Sequence, residues 1–373
     1  MLRERMSKPD YVLALTVFLL SLFGIVMIYS ASTVVAEESF GSSYYFALHQ
    51  IRSLLIGLGL MIGVYFIDYR FWRKIALPLF LANIVLLLAV YLPGIGKSFG
   101  GAHRWIGIGS FIFQPSELVK LTFLIYFASW LEKKGSQVRN FASGFLPFII
   151  LMIVLGILIM GQPDLGTLSV IAITAVIIYF ISGARYKHIA AIVAGAIVIF
   201  FILIKIEPYR MQRFLVFLNP SNQTLGAAYH INQALLAIGS GGLWGLGFGQ
   251  SKQKYLYLPQ AHTDSIFAII AEELGFLRVS LILAVYVFIA WRGFKIARQA
   301  PDNFAKFLAA GITIWLIIQT LINIGAMLNI IPLTGIPLPF VSYGGSSLII
   351  NLASIGILLN ISKYSRQDSQ GAQ

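Results

Sequence analysis

Residues 11–29 read YVLALTVFLLSLFGIVMIY, a stretch without a charged side chain that follows the basic N-terminal residues 1–10. About twenty apolar residues are needed to cross the hydrocarbon core of a bilayer, so this stretch can form a transmembrane helix. The small residues at 30–32 could instead mark a signal-peptidase site. We interpret the stretch as a retained first span because nine similar segments follow it. The ten predicted spans are 11–29, 53–67, 75–91, 118–131, 145–160, 165–181, 189–204, 265–290, 307–328 and 348–361.

The composition of the chain is that of a membrane protein. Of its 373 residues, 58% are hydrophobic and only 11% are charged, which is too apolar for a soluble domain. The chain contains no cysteine, so neither disulfide bonds nor thiol chemistry contributes to its function. Its net charge of +13 could suggest a nucleic-acid partner. The placement of the basic residues indicates a membrane topology instead, and we expect no nucleic-acid binding.

Lysine and arginine are concentrated in alternate loops between the predicted spans, for example at Arg70, Arg73, Lys133 and Arg292. Cytoplasmic loops of membrane proteins carry such an excess. The distribution therefore predicts an all-α, polytopic membrane protein with about ten transmembrane helices, surrounded by membrane lipids, with both termini in the cytoplasm. We expect residues 1–373 to form a single membrane domain, with a cytoplasmic N-terminus at 1–10 and a cytoplasmic tail at 363–373.

The longer connecting segments lie on the predicted outer side, at 32–52, 92–117, 207–263 and 329–347. The segment 207–263 is a large extracytoplasmic loop between the seventh and eighth spans. Within it, the spacing of apolar residues over 227–238 predicts a helix that lies in the membrane interface, and the glycines over 239–249 predict a loop. At 331–340, three prolines prevent a regular helix at membrane depth. Such a backbone must be covered by protein or line a water-filled cavity.

Asp264 is the acidic residue that the sequence singles out, since it precedes the long apolar segment 265–290 on the outer side. An ionisable side chain at the mouth of a membrane helix is costly and often marks a reaction or transport site. Two interpretations stay open from the chemistry alone. Asp264 could cap the helix, with Thr263 as a rival cap, or it could be a general base. An aspartate is only weakly basic at pH 7, so partial desolvation would have to raise its pKa.

Other acidic residues on the outer side or within the spans have structural interpretations. Glu117 lies three residues before Lys120 at the start of a span, a spacing that favours a helix cap and a local ion pair. Asp164 is placed to cap the helix that follows it. Glu272 and Glu273 lie deeper in the eighth span, and we expect at least one of them to pair with a basic group inside the bundle.

Several cations on the predicted outer side suit an anionic partner. They are Lys97, Arg104 beside Trp105, Arg210, Arg213, Lys252 and Lys254. Together they could hold a pyrophosphate at headgroup level, whereas attraction to anionic lipid headgroups would explain any one of them. As a set on the same side as Asp264, they favour a phosphorylated amphiphile as the ligand.

Eight sequence motifs follow one another along the chain. They are YSAS at 29–32, HRWI at 103–106, QPSELVK at 114–120, QPDLGT at 162–167, AIGSGG at 237–242, LPQAHTD at 258–264, EELG at 272–275 and GIPLPFVSYGGSS at 335–347. They resemble the SEDS family (shape, elongation, division and sporulation), the polytopic peptidoglycan glycosyltransferases called RodA, FtsW and SpoVE. The resemblance covers nearly the whole chain, and the motifs at 29–32 and 261–264 lean towards an FtsW-like division role.

The resemblance implies that Asp264 is the catalytic carboxylate of an inverting glycosyltransferase that polymerises lipid II in cell division or elongation. The base would take a proton from a sugar hydroxyl of the acceptor lipid II, which then attacks the anomeric carbon of the growing glycan on a polyprenyl pyrophosphate. Cations or a divalent metal, Mg²⁺ or Mn²⁺, would stabilise the leaving charge. The candidate substrate-binding residues are Lys97, Arg104, Trp105, Glu117, Lys120, Arg210, Arg213, His262 and Ser342.

The resemblance also implies a partner, a class B penicillin-binding protein that crosslinks the glycan. It places the active site on the extracytoplasmic face of a bacterial cytoplasmic (inner) membrane. The chain departs from the family pattern at Gln260, Ser265 and Arg278. Two other classes stay open, a lipid II flippase or other transporter and a non-catalytic division scaffold. A transporter should carry polar or charged residues along several spans, and the mid-span charges here are few.

Overall fold

The structure is a computed structural model that describes residues 8–92, 94, 96–99, 102–108, 111–218 and 226–365. Its helices are α1 (Tyr11–Phe40), α2 (Tyr45–Phe66), α3 (Tyr69–Lys74), α4 (Ala76–Ala89), α5 (Pro115–Lys134), α6 (Leu146–Met160), α7 (Leu165–Ile181), α8 (Tyr186–Ile206), α9 (Pro208–Leu218), α10 (Ala227–Ser240), α11 (Ile266–Arg298), α12 (Asn303–Met327) and α13 (Gly345–Lys363). Its strands are β1 (Gly96–Phe99), β2 (Ala102–Ile108) and β3 (Phe111–Phe113). The start of the predicted N-terminus, 1–7, and most of the predicted tail, 366–373, lie outside the described residues.

Apolar helices dominate the described part of the chain. Seven helical stretches there are long and apolar enough to cross a membrane: α1, α2, α8, α11, α12, α13 and the stretch Phe141–Met160, in which a π-helix leads into α6. α4 and α7 are shorter apolar helices, and α5 carries the predicted fourth span. Each of the ten predicted spans falls mainly on one of these helices. The prediction of an all-α, polytopic membrane protein is confirmed, while the number of crossings and the side of each terminus stay predictions.

α12 and α13 lie at the centre of the bundle. In an apolar stretch of 18 residues from each helix, 89% of α13 and 78% of α12 is buried, whereas only 6% of α8 is. α13 packs along α2 at close range, since a Cβ on Gly356 would lie 2.5 Å from the carbonyl oxygen of Met61. Small residues allow such close backbone approach between membrane helices. α5, α7 and α11 surround α12, so the polar residues of α12 face other helices.

The segment 32–52, predicted as a connection on the outer side, is largely helical, and its position on the outer side stays a prediction. α1 continues to Phe40, and α2 begins at Tyr45. Residues 31–39 contain neither glycine nor proline, so the helix has no reason to stop where its apolar run ends. α1 ends where Gly41 adopts a left-handed conformation with φ of 65° and donates its N–H to the carbonyl of Glu37.

The segment 92–117, predicted to lie on the outer side, contains a small antiparallel sheet that no sequence pattern predicted. The strand order is β1-β2-β3, with Lys97 opposite Trp105 and Gly107 opposite Ile112. The pairing is irregular between Lys97 and Ser98. β1 and β3 are too short for a period-two pattern to stand out from the surrounding loop. The sheet leads directly into α5 and places its residues at the N-terminal end of that helix.

The segment 207–263 is partly helical. α10 confirms the helix predicted over 227–238, whereas its position in the membrane interface stays a prediction. The glycine-rich loop that follows packs against α11, which is kinked at Gly275 with φ of 76°. A Cβ on Gly275 would lie 2.1 Å from the backbone nitrogen of Gly245. Glycine is therefore required at this position both by the backbone conformation and by the close approach of the loop.

Candidate functional site

Asp264 lies in a turn immediately before α11, where the chain passes from the outer segment into the bundle. Its Oδ1 accepts a hydrogen bond of 3.1 Å from the Thr263 hydroxyl. Ser265 occupies the N-cap position of α11, and no side chain there accepts a hydrogen bond from the first turn. Capping of α11 therefore does not explain Asp264, and its role as a general base stays a prediction.

The surroundings of Asp264 act on its pKa in opposite directions. Burial raises the pKa of the Asp264 carboxyl, and His230, the Thr263 hydroxyl and Arg213 partly counteract that rise. Burial disfavours the charged form of a carboxyl group, whereas nearby positive charge favours it. The net rise is the change that a general base at neutral pH requires, because an ordinary aspartate holds its proton too weakly.

His230 is a neighbour of Asp264 that the sequence analysis did not select. Its Nε2 lies 2.6 Å from the Ser265 hydroxyl, and that hydroxyl donates to the carbonyl of Pro259 at 3.0 Å. Because the Ser265 proton is already used, its oxygen accepts from His230, so Nε2 of His230 carries a proton. The sequence signal was present, since His230 interrupts the apolar face of α10. Ser265, noted as a departure from the family pattern, is the residue that holds this histidine.

The predicted break at 331–340 is confirmed, since these residues form no helix. The backbone carbonyls of this region are held by side chains from several other elements. Arg213 donates to Leu333 (3.2 Å), Asn323 to Ile336 (2.8 Å), Gln319 to Pro337 (2.9 Å), Tyr286 to Pro339 (2.6 Å) and Gln50 to Ser342 (3.1 Å). Backbone groups at membrane depth must be satisfied internally, and here side chains replace the missing helical partners.

The broken segment passes close to the carboxylate of Asp264. A Cβ on Gly335, which has φ of 72°, would lie 3.6 Å from Oδ2 of Asp264. The N-terminus of α7 lies against the same segment, since a Cβ on Gly166 would lie 3.0 Å from the carbonyl oxygen of Thr334. Gly335 thus belongs to the wall of the site, a role that the sequence analysis did not assign.

The predicted outer cations are largely engaged with backbone carbonyls. Arg104 donates to Gln162 at 2.8 Å and to Pro163 at 2.5 Å, and so ties β2 to the turn between α6 and α7. Arg210 is buried and donates to Leu203 at 3.2 Å. Arg213 donates to the broken segment and is the predicted cation that acts on the charge of Asp264.

The remaining predicted cations differ in exposure. Lys97 is exposed, and its aliphatic stem lies over Gly107. A Cβ on Gly107 would lie 2.4 Å from Cε of Lys97. Trp105 lies opposite Lys97 in the sheet. Lys252 is also exposed. Lys254 is buried and donates to Glu273 at 3.3 Å, to Gly249 at 2.6 Å and to Ser30 at 3.4 Å.

The buried acids have the partners that the sequence predicted. The ion pair between Glu273 and Lys254 confirms that a deep glutamate is matched by a basic group inside the bundle. Asp164 caps α7, accepting from the Thr167 N–H at 3.1 Å. Glu117 and Lys120 form an ion pair of 2.8 Å, and both are almost completely buried. Lys120 also donates to Gln319 at 2.9 Å.

His262 and Ser342, both predicted to bind substrate, are buried. The ring of His262 lies against Phe46, with centroids 4.1 Å apart, and burial lowers the pKa of His262 to about 4. The imidazole is therefore neutral at pH 7. The hydroxyl of Ser342 accepts from the Leu338 N–H at 2.7 Å and closes a turn of the broken segment. Contact between these residues and a substrate stays a prediction.

A divalent ion at this site would need ligands that the protein supplies only sparsely. Among the described residues, no three His, Cys, Asp or Glu side chains come together in a way that could hold a metal ion. Mg²⁺ is commonly bound through one or two carboxylates and the phosphates of a substrate. The described residues do not form a metal site by themselves. Asp264 is the carboxylate that would share a metal ion with the phosphates of a substrate. The predicted metal stays a prediction.

The helix bundle, with a partly buried carboxylate against a broken segment, defines a polytopic membrane protein with a polar site at one end of a kinked helix. The family model described as "Cell cycle protein", which covers FtsW, RodA and SpoVE, matches residues 10–367. The chain belongs to this family, as its motifs predicted.

Relatives and solved structures agree with this assignment. Stage V sporulation protein E of Bacillus subtilis (strain 168) is 42% identical over 96% of this chain and 98% of its own length. A probable peptidoglycan glycosyltransferase FtsW of Geobacter sulfurreducens is 41% identical over 96% of each chain. Among solved structures, a chain of a peptidoglycan synthase complex that coordinates polymerization and crosslinking gives a TM-score of 0.79 at 27% identity, covering 95% of this chain and 97% of that one. The rod shape determining protein RodA of Thermus thermophilus gives 0.71 at 28% identity, covering 96% and 98%.

Proposed function

We propose that this protein is a peptidoglycan glycosyltransferase that polymerises lipid II, with Asp264 as its general base. The carrying observation is the position of the Asp264 carboxylate, at the entrance to α11, against Gly335 and under the influence of Arg213 and His230. Relatives that match 96% of the chain are named as probable peptidoglycan glycosyltransferases, which supports the reaction class. Their names do not say which residue acts.

The proposed reaction is a single displacement at an anomeric carbon. A carboxylate oxygen of Asp264 takes the proton from the acceptor hydroxyl of lipid II as the hydroxyl oxygen forms the new glycosidic bond. The bond from the anomeric carbon of the donor to its phosphate oxygen breaks, and polyprenyl pyrophosphate leaves with the electron pair. Attack opposite the leaving group inverts the configuration. The raised pKa of Asp264 makes the carboxylate a better proton acceptor at neutral pH.

Arg213 is the cation that we propose for the leaving pyrophosphate. A guanidinium has five N–H donors in a planar fork, so the hydrogen bond to Leu333 fixes its position and leaves donors for phosphate oxygens. Charge stabilisation by a donor that is already in place needs no reorganisation during the reaction. Arg213, Lys97 and Lys252 are all exposed, and the hydrogen bond to Leu333 distinguishes Arg213. The two lysines are suited to earlier, looser contact with the substrate.

We further propose that the site faces the extracytoplasmic side of a bacterial cytoplasmic membrane and that a class B penicillin-binding protein is the partner. The distribution of basic loops supports the orientation. A structural neighbour is part of a complex that joins polymerization to crosslinking, which supports a crosslinking partner for this chain.

Polymerisation of purified lipid II by the purified protein with its partner tests the assignment of Asp264. Asp264→Asn keeps the shape of the side chain and removes the base, so we expect a loss of about a hundredfold or more in kcat. A matched control is Asp302→Asn, since Asp302 also starts a helix, capping α12 through the Ala305 N–H at 2.8 Å, and lies at the opposite end of α11. Full activity of Asp264→Asn would remove Asp264 from the mechanism.

Two further measurements separate this function from its alternatives. The wild-type rate should fall on acidification at a pH above the usual pKa of aspartate, because the raised pKa of Asp264 means that the base is protonated earlier. Movement of labelled lipid II across proteoliposomes without polymer would instead favour a flippase. An Asp264→Asn protein that binds its partner normally but makes no glycan would argue against a scaffold.

A further inference from the structure

Two amide side chains one helical turn apart on α12, Gln319 and Asn323, join the broken segment to the rest of the site. Both are completely or almost completely buried. Residues four apart lie on the same face of a helix, so the two amides point towards the same stretch of chain. Neither was selected from the sequence, and the reaction proposed above assigns no role to either.

Asn323 connects the two chain segments that meet at the carboxylate. Its Nδ2 donates to the backbone carbonyl of Asp264 at 2.7 Å and to that of Ile336 at 2.8 Å. An amide nitrogen has two protons, so both are used, one on each segment. Ile336 follows Gly335, whose Cβ position lies 3.6 Å from Oδ2 of Asp264. This one side chain of Asn323 therefore joins Asp264 directly to the segment beside it.

Gln319 continues the connection towards α5. Its Nε2 donates to the carbonyl of Pro337 at 2.9 Å, while its Oε1 accepts from Lys120 at 2.9 Å and from Trp315 at 2.8 Å. Lys120 is in turn paired with Glu117 at 2.8 Å. Gln319 thus links the buried ion pair to the broken segment. It binds Pro337, the residue next to Ile336, which Asn323 binds.

We propose that Asn323 and Gln319 are positioning residues, which hold Asp264 and the broken segment together as one rigid unit, and that Glu117 and Lys120 act through Gln319 rather than by touching substrate. The role in catalysis rests on the function proposed above. The role in holding the segment does not, since it follows from the hydrogen bonds alone. Catalytic groups must be held to a fraction of an ångström, and a misplacement of about 1 Å can cost about a hundredfold in rate.

The test compares two buried asparagines that each make two hydrogen bonds to backbone, in different parts of the fold. Asn323→Ala removes both donors at the site. Asn360→Ala is the matched control, because Asn360 also makes two buried hydrogen bonds to backbone, donating to Tyr65 at 2.8 Å and accepting from Tyr69 at 2.8 Å, but belongs to the C-terminal end of α13. Gln319→Glu keeps the acceptor for Lys120 and Trp315 and loses the donor to Pro337.

Three readouts are measured on the full chain with its partner: kcat and KM for lipid II, the pH profile of the rate, and hydrogen–deuterium exchange of peptides covering 331–344. We expect Asn323→Ala to lower kcat about a hundredfold with KM unchanged, and to raise exchange in 331–344. The acid limb should move to lower pH, because a loosened Asp264 is better solvated. Gln319→Glu should raise the same exchange, and Asn360→Ala should change neither rate nor exchange there.

Each contrary result has a distinct meaning. If Asn323→Ala loses thermal stability to the same extent as Asn360→Ala but keeps its kcat and its exchange pattern, the amide is structural and the proposal is wrong. If KM rises and kcat does not fall, Asn323 touches substrate and is not a positioning residue. If the wild-type protein makes no glycan at all, the proposed function fails, and the exchange measurement alone decides whether Asn323 and Gln319 hold the segment.

Discussion

Replacing Lys120 by methionine should destabilise the protein more than any exposed substitution, because it leaves a buried carboxylate without its partner. The side chains of Lys120 and Glu117 are 2% and 4% exposed, and their charged atoms lie 2.8 Å apart. Methionine preserves most of the apolar stem of lysine and removes only the ammonium group. The cost therefore comes from the uncompensated Glu117 rather than from a cavity.

The expected loss of stability follows from the burial of Lys120 and from its two polar contacts, with Glu117 and with Gln319. Removing one partner of a buried ion pair costs about 3–5 kcal/mol, and we expect a loss in that range for Lys120→Met. The double variant Lys120→Met, Glu117→Leu removes both charges. Gln319 then loses one donor to its Oε1 but keeps Trp315 at 2.8 Å, so the double variant should cost only about 1 kcal/mol. The double variant should thus be more stable than the single one.

Equilibrium unfolding in mixed detergent micelles, with lipid II polymerisation measured in parallel, distinguishes this expectation from substrate binding. A structural pair predicts that the second substitution restores stability lost by the first. If Lys120 instead grips a pyrophosphate, Lys120→Met would unfold at the wild-type denaturant concentration yet raise KM strongly. That combination would refute the reasoning from burial and would return Glu117 and Lys120 to the substrate site.

Three further predictions concern the same end of the bundle. Burial lowers the pKa of His262 to about 4 from a usual value near 6.5. Because the unfolded chain takes up this proton first, the free energy of unfolding should fall by about 3 kcal/mol between pH 6.5 and pH 4. Melting temperatures should show this loss in the wild type and not in His262→Phe, and parallel curves would contradict it. Gly335→Ala should slow polymerisation, because its methyl group would take up space beside the base, in van der Waals contact with Oδ2 of Asp264 at 3.6 Å, and the φ of 72° is strained for alanine. Gly41→Ala has similar backbone strain with nothing within 4 Å and should retain the wild-type rate, so equal loss in both would implicate strain alone. Chelation of divalent ions should slow polymerisation and Mg²⁺ or Mn²⁺ should restore it, whereas an unchanged rate in chelator would remove the metal from the hypothesis.

The helices could be predicted because their signal is local. Uninterrupted apolar runs such as 11–29 identify membrane helices with no knowledge of what surrounds them. The ends of the helices were less predictable, since α1 continues for eleven residues after that run, to Phe40, and only Gly41 stops it. The sheet of β1–β3 left no signal because its strands gain their pairing from one another rather than from an alternating pattern.

Local pairs within the site were also predictable, whereas contacts across the chain were not. Glu117 and Lys120 are neighbours on one helix, so their ion pair follows from spacing. Asn323 is 59 residues from Asp264, and its role depends on which carbonyls a non-helical segment leaves without partners. The same reason explains why Arg104, predicted as a free cation, donates to backbone. Turns and broken segments expose carbonyl groups, and long arginine side chains are the donors that reach them.

The placement of Arg213 suits a reaction in which negative charge moves from the base to the leaving group. Before the proposed transfer, the charge of Asp264 interacts favourably with Arg213, which partly offsets the rise in the Asp264 pKa caused by burial, whereas burial lowers the pKa of His230 and so disfavours its charged form. In the proposed reaction, the carboxylate charge disappears when Asp264 accepts the proton, while a new charge develops on the pyrophosphate. Arg213 is held to the broken segment by Leu333, so it stays in place while its electrostatic partner changes. A fixed cation that serves the base first and the leaving group next lowers the cost of both states, since neither charge is left uncompensated in a region of low polarity.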